Sequence, residues 1–209
     1  MKIHLHKNDL PDGLDFGSSI AVDTETQGLS LVRDKLCLVQ ISSGEGEAHI
    51  VQVNRETFEC PNLKTLLSDT SVEKIFHYAR FDLAILKRDL QISVTPVFCT
   101  KLASGLVRTY TDRHGLKDIC RELLGEDISK QQQSSDWAAE NLTEGQLDYA
   151  ASDVLYLHRL KNILTERLLR ESRFDMARAC FEFLPTRAEL DLKGWGEVDV
   201  FSHHLRANH

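Results

Sequence analysis

The chain has 209 residues, with 25 lysines and arginines against 32 aspartates and glutamates, which gives a formal net charge of −7 at pH 7. This length is enough to bury one sizeable hydrophobic core or at most two small ones, and we expect a single domain over residues 1–209. The negative charge argues against electrostatic binding along a long nucleic-acid duplex, because proteins that bind in this way usually carry basic patches.

Apolar runs and turn signals predict an α/β protein. Strands are predicted, in chain order, at 18–24, 36–42, 47–53, 73–78 and 95–99. Short polar or glycine-containing turns join the first three strands, so we expect an antiparallel meander there. Helices are predicted at 63–67, 82–90, 101–110, 116–124, 146–170 and 174–189. Thr143 and Gln146 form a capping-box signature at the start of the helix 146–170.

Nothing in the sequence predicts export or a membrane anchor. The N-terminus lacks the apolar stretch of a signal peptide, and no apolar run approaches the length of a transmembrane helix. Scattered cysteines without metal-binding spacing predict free thiols in a reducing compartment. We therefore expect a cytoplasmic protein with no membrane partner. The cysteines are Cys37, Cys60, Cys99, Cys120 and Cys180.

Asp23 and Glu25 end the first predicted strand. Side chains alternate faces along a strand, so the two carboxylates point the same way, with Cα atoms about 7 Å apart. Such a pair suits a divalent cation, which prefers hard oxygen ligands. The spacing alone is weak, because about one match arises by chance in a chain this acidic and many such pairs lie on a solvated strand edge. The apolar flanks strengthen it, since burying carboxylates is costly without a metal or a cationic partner.

Two further acidic segments follow. Tyr149 and Asp153 share one face of a predicted helix as i and i+4 neighbours. Asp82 stands where an apolar strand gives way to a helix, and its simpler alternative role is to complement the helix dipole. Tyr78 and Asp82 have the same spacing as Tyr149 and Asp153, but they span a strand-to-helix junction, where residues i and i+4 need not share a face. The three acidic segments in this order, rather than any one of them, indicate a metal site.

These segments resemble the motifs of a known family, the DEDDy 3′-to-5′ exonucleases of the RNase D and DnaQ-like group. The first, second and third motifs of the family resemble residues 20–26, 76–82 and 149–157, with 114–118 and 133–137 also in the family's order. Tyr149, where another branch has histidine, indicates the tyrosine branch. The resemblance implies an RNase H-like fold, with a mixed sheet whose first three strands are antiparallel and which helices flank. The implied catalytic core is about 18–165, followed by a C-terminal helical extension and tail at 166–209.

The resemblance also implies two divalent cations, Mg²⁺ or Mn²⁺, about 4 Å apart. Asp23 would bridge both ions. Glu25 and Asp153 would complete the ion that holds the attacking water, and Asp82 would support the second ion through a water. Tyr149 would orient the attacking water, and its alternative is a buried tyrosine that ties the helix to the sheet. The products would be nucleoside 5′-monophosphates released from the 3′ end.

Three segments bear on the substrate. The chain after Asp153 is too short for the C-terminal helical domains of RNase D proteins, which makes processing of long RNA less expected. Leu29 falls where short-oligonucleotide exonucleases of this superfamily place an apolar wedge between terminal bases; the alternative is a core leucine after a turn. The compact chain and its tail at 194–201 resemble the nanoRNase C group, which clears dinucleotides. That resemblance implies a ring-like homo-oligomer, an octamer.

Other residues in these segments have two open interpretations each. His77 contacts the sugar or phosphate of the substrate, or makes a structural hydrogen bond at a strand end. Arg80 contacts a phosphate, or is solvated. Residues 131–137 cap the 5′ end of the substrate, or form a polar loop. Trp195 and Phe201 are unusual in a tail, and we expect them to dock on the body or on a neighbouring subunit.

The leading functional hypothesis is a metal-dependent 3′-to-5′ exoribonuclease that degrades short RNA oligonucleotides, including dinucleotides. The alternatives within the same chemistry are RNase D-like 3′ trimming of transfer RNA or other stable RNA precursors, and a 3′-to-5′ exonuclease acting on DNA. A non-catalytic nucleic-acid-binding module is a third hypothesis. The presence of all four carboxylates disfavours it, because degenerate members would be expected to lose some.

Overall fold

The computed structural model describes residues 2–129 and 131–203 and contains one six-stranded mixed sheet with helices packed around it. The strands are β1 (Lys2–Lys7), β2 (Ser19–Thr26), β3 (Leu36–Ser42), β4 (Glu47–Gln52), β5 (Glu73–Phe76) and β6 (Val97–Cys99). The helices are α1 (Pro61–Ser68), α2 (Ala79–Ile85), α3 (Thr100–Val107), α4 (Leu116–Leu124), α5 (Glu144–Leu155), α6 (Leu157–Arg170) and α7 (Phe174–Leu190). Wider π-helical turns continue α2 over Leu86–Leu90 and α7 over Asp191–Trp195.

The sheet has the strand order β1-β4-β3-β2-β5-β6. Strand β3 is antiparallel to both β2 and β4, which confirms the predicted meander. The pairs β2–β5, β5–β6 and β1–β4 are parallel. Strand β3 is buried along its whole length, and α5 packs against β2, β3 and β4. The antiparallel centre of the sheet is therefore the floor on which α5 lies.

The sequence prediction omitted β1. This strand pairs in parallel with β4, and it has only that one neighbour in the sheet order. Ile3 and Leu5 alternate with His4 and His6, which is the period of a strand. Edge strands are short and polar in many proteins, so this weak apolar signal did not mark the strand.

The predicted helix 146–170 is two helices, α5 and α6. They meet at Tyr156, whose φ of −98° and ψ of −9° end the first helix. Neither glycine nor proline marks the break, and the apolar residues keep helical spacing across it, so the sequence pattern did not reveal it. The predicted capping box is confirmed: the Gln146 amide donates to Thr143 Oγ1 at 3.3 Å, and the Thr143 amide donates to Gln146 Oε1 at 3.0 Å.

All five cysteines are free thiols, as the sequence predicted. Within residues 2–129 and 131–203, no helix is long and apolar enough to cross a membrane.

Candidate active site

Three of the predicted carboxylates meet at the end of β2. Asp23 and Glu25 project from the same face of the strand, where α5 packs across it and brings Asp153. Each of the three offers a carboxylate oxygen, and these oxygens all lie within 4.8 Å of one another. All three side chains are half-buried. This is a compact set of hard oxygen donors of the kind that binds divalent cations.

Asp82 lies beside this cluster rather than within it. It stands in the first turn of α2 and is 4% exposed. Its carboxylate accepts a 2.6 Å hydrogen bond from Thr24 Oγ1, on the β2 residue between Asp23 and Glu25. Asp82 and the three clustered carboxylates line one cavity. The first-turn position also suits interaction with the helix dipole, and the role of Asp82 in metal binding stays a prediction.

The four carboxylates disfavour one another's charge. Burial raises the pKa of Asp23 well above its usual range, and repulsion from Asp82, Asp153 and Glu25 raises it further. Burial, then repulsion from Asp153 and Asp82, raises the pKa of Glu25 to about 9. Burial raises the pKa of Asp82 to about 7, although the Thr24 hydroxyl acts in the opposite direction. Without a cation the cluster therefore holds protons at neutral pH, and divalent cations fit the site because they neutralise the same oxygens.

Tyr149 lies one helical turn before Asp153 on α5. Its hydroxyl hydrogen-bonds the Asp153 carboxylate, and burial, followed by the charges of Asp153 and Glu25, raises the pKa of the phenol. The hydroxyl therefore keeps its proton and remains a donor at the cluster. The ring also packs on Trp137, with 5.8 Å between centroids. Tyr149 therefore both packs against the body of the protein and places its hydroxyl beside the carboxylates.

The cavity around the carboxylates has a volume of about 360 Å³. Leu29 is one of its lining residues and is 85% exposed. The alternative of a core leucine is therefore wrong: the loop after β2 carries the side chain away from the core and to the mouth of the acidic site. Its role as a wedge stays a prediction.

The loop that presents Leu29 is tightly organised. Asp34 Oδ2 accepts a hydrogen bond from the Ser30 amide at 2.9 Å. Arg88 donates to two backbone carbonyls of the loop, at 2.6 and 2.7 Å. A Cβ at Gly28 would overlap the Asp34 carboxylate, so a larger residue there would require this hydrogen-bonded side chain to shift. Hydrogen bonds within and around the loop therefore hold the exposed leucine in its position.

Residues 8–169 match the model of a family described as 3′-5′ exonuclease. The chain belongs to this family. It is 35% identical over 156 residues to a ribonuclease D of Gluconacetobacter diazotrophicus, covering 75% of this chain and 39% of that protein. A ribonuclease D of Xanthomonas oryzae is 29% identical over 198 residues, covering 93% of this chain and 54% of that protein. The chain thus spans about two fifths to a half of the length of these relatives.

Solved structures extend the similarity to the whole chain. Brucella melitensis NrnC with bound Mg²⁺ is 56% identical with a TM-score of 0.93, covering 98% of this chain and 100% of that chain. The structure of the same protein bound to pGG gives 57% identity and a TM-score of 0.94 over the same shares. Escherichia coli RNase D, at 24% identity and a TM-score of 0.71, covers 82% of this chain and 45% of that chain and shares the fold. The predicted RNase H-like exonuclease fold and the resemblance to nanoRNase C are confirmed.

His77 follows β5 and lines the cavity of this exonuclease-family chain. Its Nδ1 lies 2.9 Å from Thr100 Oγ1, so the structural hydrogen bond at the strand end is present. The half-buried ring also belongs to the cavity wall, and contact with a substrate stays a prediction.

Arg80 is not among the residues that line the acidic cavity. Its guanidinium contacts Asp191 at 2.5 and 2.7 Å and donates to the Gly196 carbonyl at 2.9 Å. The alternative of a solvated arginine is therefore wrong. The guanidinium that would have to contact a phosphate is instead paired with Asp191. Helix α7 packs against α2, and the helical turn that continues α7 places Asp191 beside Arg80, a contact that sequence spacing does not show.

Lys101 is a cavity residue that the sequence reasoning missed. It follows β6, the parallel neighbour of β5, and its Nζ lies 4.1 Å from the centroid of the Tyr78 ring. The carboxyl ends of parallel strands meet at one edge of a sheet, so its position after a strand was an available signal. Lys117 and Gln133 also line the cavity. The lining of the acidic cavity thus also includes cationic and amide side chains.

Proposed function

We propose that this protein is a metal-dependent 3′-to-5′ exoribonuclease that hydrolyses short RNA oligonucleotides, dinucleotides included, to nucleoside 5′-monophosphates. The observation that carries the proposal is the convergence of Asp23, Glu25 and Asp153, whose carboxylate oxygens lie within 4.8 Å of one another. Tyr149 stands beside them with a protonated hydroxyl. The membership of the chain in the 3′-5′ exonuclease family supports the same chemistry.

The residues that would hold metal are the four carboxylates. Asp23, Glu25 and Asp153 would bind one divalent cation, and Asp82 with Asp23 would support a second, as Mg²⁺ or Mn²⁺. When bound, such ions stabilise negative charge on the phosphate and supply a nucleophilic water at neutral pH. The structure of Brucella melitensis NrnC with bound Mg²⁺ supports the choice of ion.

The other side chains position the reactants. The Tyr149 hydroxyl orients the attacking water beside Asp153. Lys101 and Lys117 line the cavity, and their positive charges would offset the charge of the phosphate oxygens. Water attacks phosphorus, and the bond between phosphorus and the 3′ oxygen of the preceding nucleotide breaks. The released nucleotide keeps the phosphate on its 5′ oxygen, and the 3′ oxygen of the shortened chain takes up a proton and becomes a hydroxyl.

Three observations favour short substrates. The cavity, at about 360 Å³, lies in the range of small-ligand sites, about 300–1,000 Å³. The exposed Leu29 at its mouth offers an apolar surface to a terminal base. The net charge of −7 is unfavourable for a long polyanion. The structure of Brucella melitensis NrnC bound to pGG, at 57% identity, supports a dinucleotide as the substrate.

RNase D-like 3′ trimming of transfer RNA or other stable RNA precursors is the second candidate. The 35% identity to a ribonuclease D favours it. A DNA-directed 3′-to-5′ exonuclease is the other variant of the same chemistry. The 35% identity over 139 residues to a DNA polymerase I of Aquifex aeolicus favours it, so the test below includes DNA substrates.

We also propose that the chain forms a homo-oligomer, with a ring-like octamer as the specific form. Phe201 reaches the Phe183 ring at 5.6 Å between centroids but stays 80% exposed, and Trp195 is 43% exposed. Phe201 therefore contacts the body of the same chain at one ring only, and Trp195 is also only partly covered. A neighbouring subunit would cover these rings. Light scattering on the Phe201→Ser protein tests this, since an unchanged oligomer would contradict a role for Phe201.

The test of the function is a cleavage series. Purified protein with Mg²⁺ or Mn²⁺ is given 5′-labelled single-stranded RNAs from the dinucleotide upward, with matched DNAs. Fast loss of the dinucleotide and slow trimming of longer RNA is the expected result. Equal or faster trimming of long or structured RNA would favour the RNase D-like function, and preference for DNA would favour the DNA exonuclease.

Two variants separate catalysis from contamination and from simple binding. Asp153→Ala removes a carboxylate of the cluster, and activity should fall by more than about 100-fold. Asp148→Ala is the matched control, because Asp148 is exposed on the same helix and does not line the cavity. An Asp153→Ala protein as active as the control, or no cleavage of any substrate with either metal, would refute the proposed function.

A further inference from the structure

A second cluster of residues that could bind a metal lies on β1 and β4, at one edge of the sheet. His4 on β1 and Glu47 and His49 on β4 each offer a ligand atom, and these atoms lie within 4.8 Å of one another. Backbone register sets this grouping, because His4 stands directly beside His49 in the parallel β1–β4 pair. The two imidazoles stack with 4.6 Å between ring centroids.

This cluster is on the opposite face of the sheet from Asp23. His49 pairs with Ile41 on β3, and Ile41 pairs with Val22 on β2. Residues directly opposite each other in an antiparallel pair project to the same face. Asp23 is the next residue after Val22 and therefore projects to the other face. An ion held by the histidines would be separate from any ion on the carboxylates.

The side chains around the cluster already orient its ligands. His4 Nε2 lies 3.1 Å from Glu47 Oε2, and His6 Nε2 lies 3.0 Å from His49 Nδ1. The contact between two imidazoles requires a neutral ring as acceptor, and a neutral imidazole is the form that binds metal. The Phe16 ring packs edge-on against His49, with 5.0 Å between centroids. The position of His49 is thus set by a polar partner on one side and an apolar one on another.

We propose that His4, Glu47 and His49 form a transition-metal site that takes Zn²⁺. Two imidazoles and one carboxylate form a known zinc ligand set, with a fourth position left for water. Nitrogen ligands favour zinc over Mg²⁺, which prefers oxygen. Zinc bonds of about 2.0–2.1 Å place tetrahedral ligands about 3.3 Å apart, so rotations of the half-buried side chains bring the ligand atoms into range. His6 then acts as the hydrogen-bonding partner that orients His49.

The competing explanation for this cluster is that its side chains only join β1 to β4 by hydrogen bonds and bind no metal. Lys2 Nζ also contacts Glu47, at Oε1 and 3.1 Å, and its positive charge opposes a cation at the cluster. Lys2 is 66% exposed and free to withdraw. In that competing explanation Lys2 would strengthen the cluster, whereas at a zinc site its removal would strengthen zinc binding. The two explanations therefore differ in the predicted effect of one substitution.

The experiment is a zinc titration of untagged, full-length protein carrying Asp23→Asn and Asp153→Asn, which weaken the carboxylate site. Bound zinc is counted after equilibrium dialysis, and thermal unfolding is followed in the same samples. We expect one equivalent of Zn²⁺ and a higher unfolding temperature, because an ion that binds only the folded state stabilises it. Co²⁺ in place of zinc should give the visible absorption of a nitrogen-ligated ion.

Three substitutions in this background decide the outcome. Glu47→Gln and His49→Ala should each weaken zinc binding at least tenfold and abolish the rise in unfolding temperature. Lys2→Ala, the matched control on the same strands, should bind zinc at least as tightly. The tail residues His203, His204 and His209 remain in every variant, so zinc held there would persist. Zinc binding unchanged by both Glu47→Gln and His49→Ala, or no bound equivalent in the parent protein, would overturn the proposal.

Discussion

Arg80 and Asp191 form a two-point ion pair across 111 residues of sequence, with contacts of 2.5 and 2.7 Å. Arg187 contacts the same carboxylate at 2.7 Å. The Asp191 side chain is only 5% exposed, so two guanidinium groups compensate its burial. This pairing joins the turn after α7 to α2, the helix that carries Asp82, and thereby positions one wall of the candidate active site.

Replacing Arg80 by alanine should lower the free energy of unfolding by about 1–3 kcal/mol, because Asp191 loses a charged hydrogen-bonding partner while buried. Urea unfolding measures the change. Arg178→Ala is the control: its ion pair with Asp175 is exposed and should contribute less than about 1 kcal/mol. A raised KM for RNA with unchanged stability would instead support the phosphate contact that the sequence suggested.

Replacing Tyr149 by phenylalanine should lower kcat by about 100-fold, since a hydroxyl that positions the attacking water acts on the chemical step. The ring, and hence its contact with Trp137, is retained, so the unfolding temperature should hardly change. Tyr156→Phe is the matched control at the junction that follows α5. A Tyr149→Phe protein with the kcat of the control would leave Tyr149 with a packing role only.

Replacing Leu29 by alanine should raise KM for the dinucleotide and leave stability within about 0.5 kcal/mol, because a side chain this exposed contributes little to folding. Val32 is the control, since it is 96% exposed in the same loop and does not line the acidic cavity. Steady-state kinetics on dinucleotide and longer RNA compare the two variants. Equal kinetics of Leu29→Ala and Val32→Ala would contradict the wedge.

The metal-free protein should lose stability as pH rises. The pKa of Glu25 is raised from its usual 4.5 to about 9 in the folded chain, so the folded state binds this proton more tightly than the unfolded state does. The resulting stabilisation by protonation is lost as pH rises through 9. Glu25→Gln should flatten this dependence between pH 4.5 and 9, whereas the exposed Glu45→Gln should not. Urea unfolding in chelator across this range measures the slope, and identical slopes for both variants would refute the assignment.

Local patterns predicted most of the elements near the site. The meander β2–β4 followed from apolar runs separated by turns, and the start of α5 from the Thr143–Gln146 capping box. Strand β1 was missed because its apolar alternation is short. The break at Tyr156 was missed because helical periodicity continues through it. Each of these failures concerns a feature whose local signal is weak or absent.

The sequence established which residues of the site are carboxylates, most of the strands and helices that carry them, and which side chains within an element share a face. These properties depend on spacing within a few residues, and the backbone period of 2 or 3.6 fixes them. Only the three-dimensional structure showed that Arg80 pairs with Asp191, that Lys101 lines the acidic cavity and that Leu29 is exposed. It also brought His4 beside His49 on the face opposite Asp23. Such contacts join residues far apart in the chain, and they depend on how strands pair and helices pack rather than on local period.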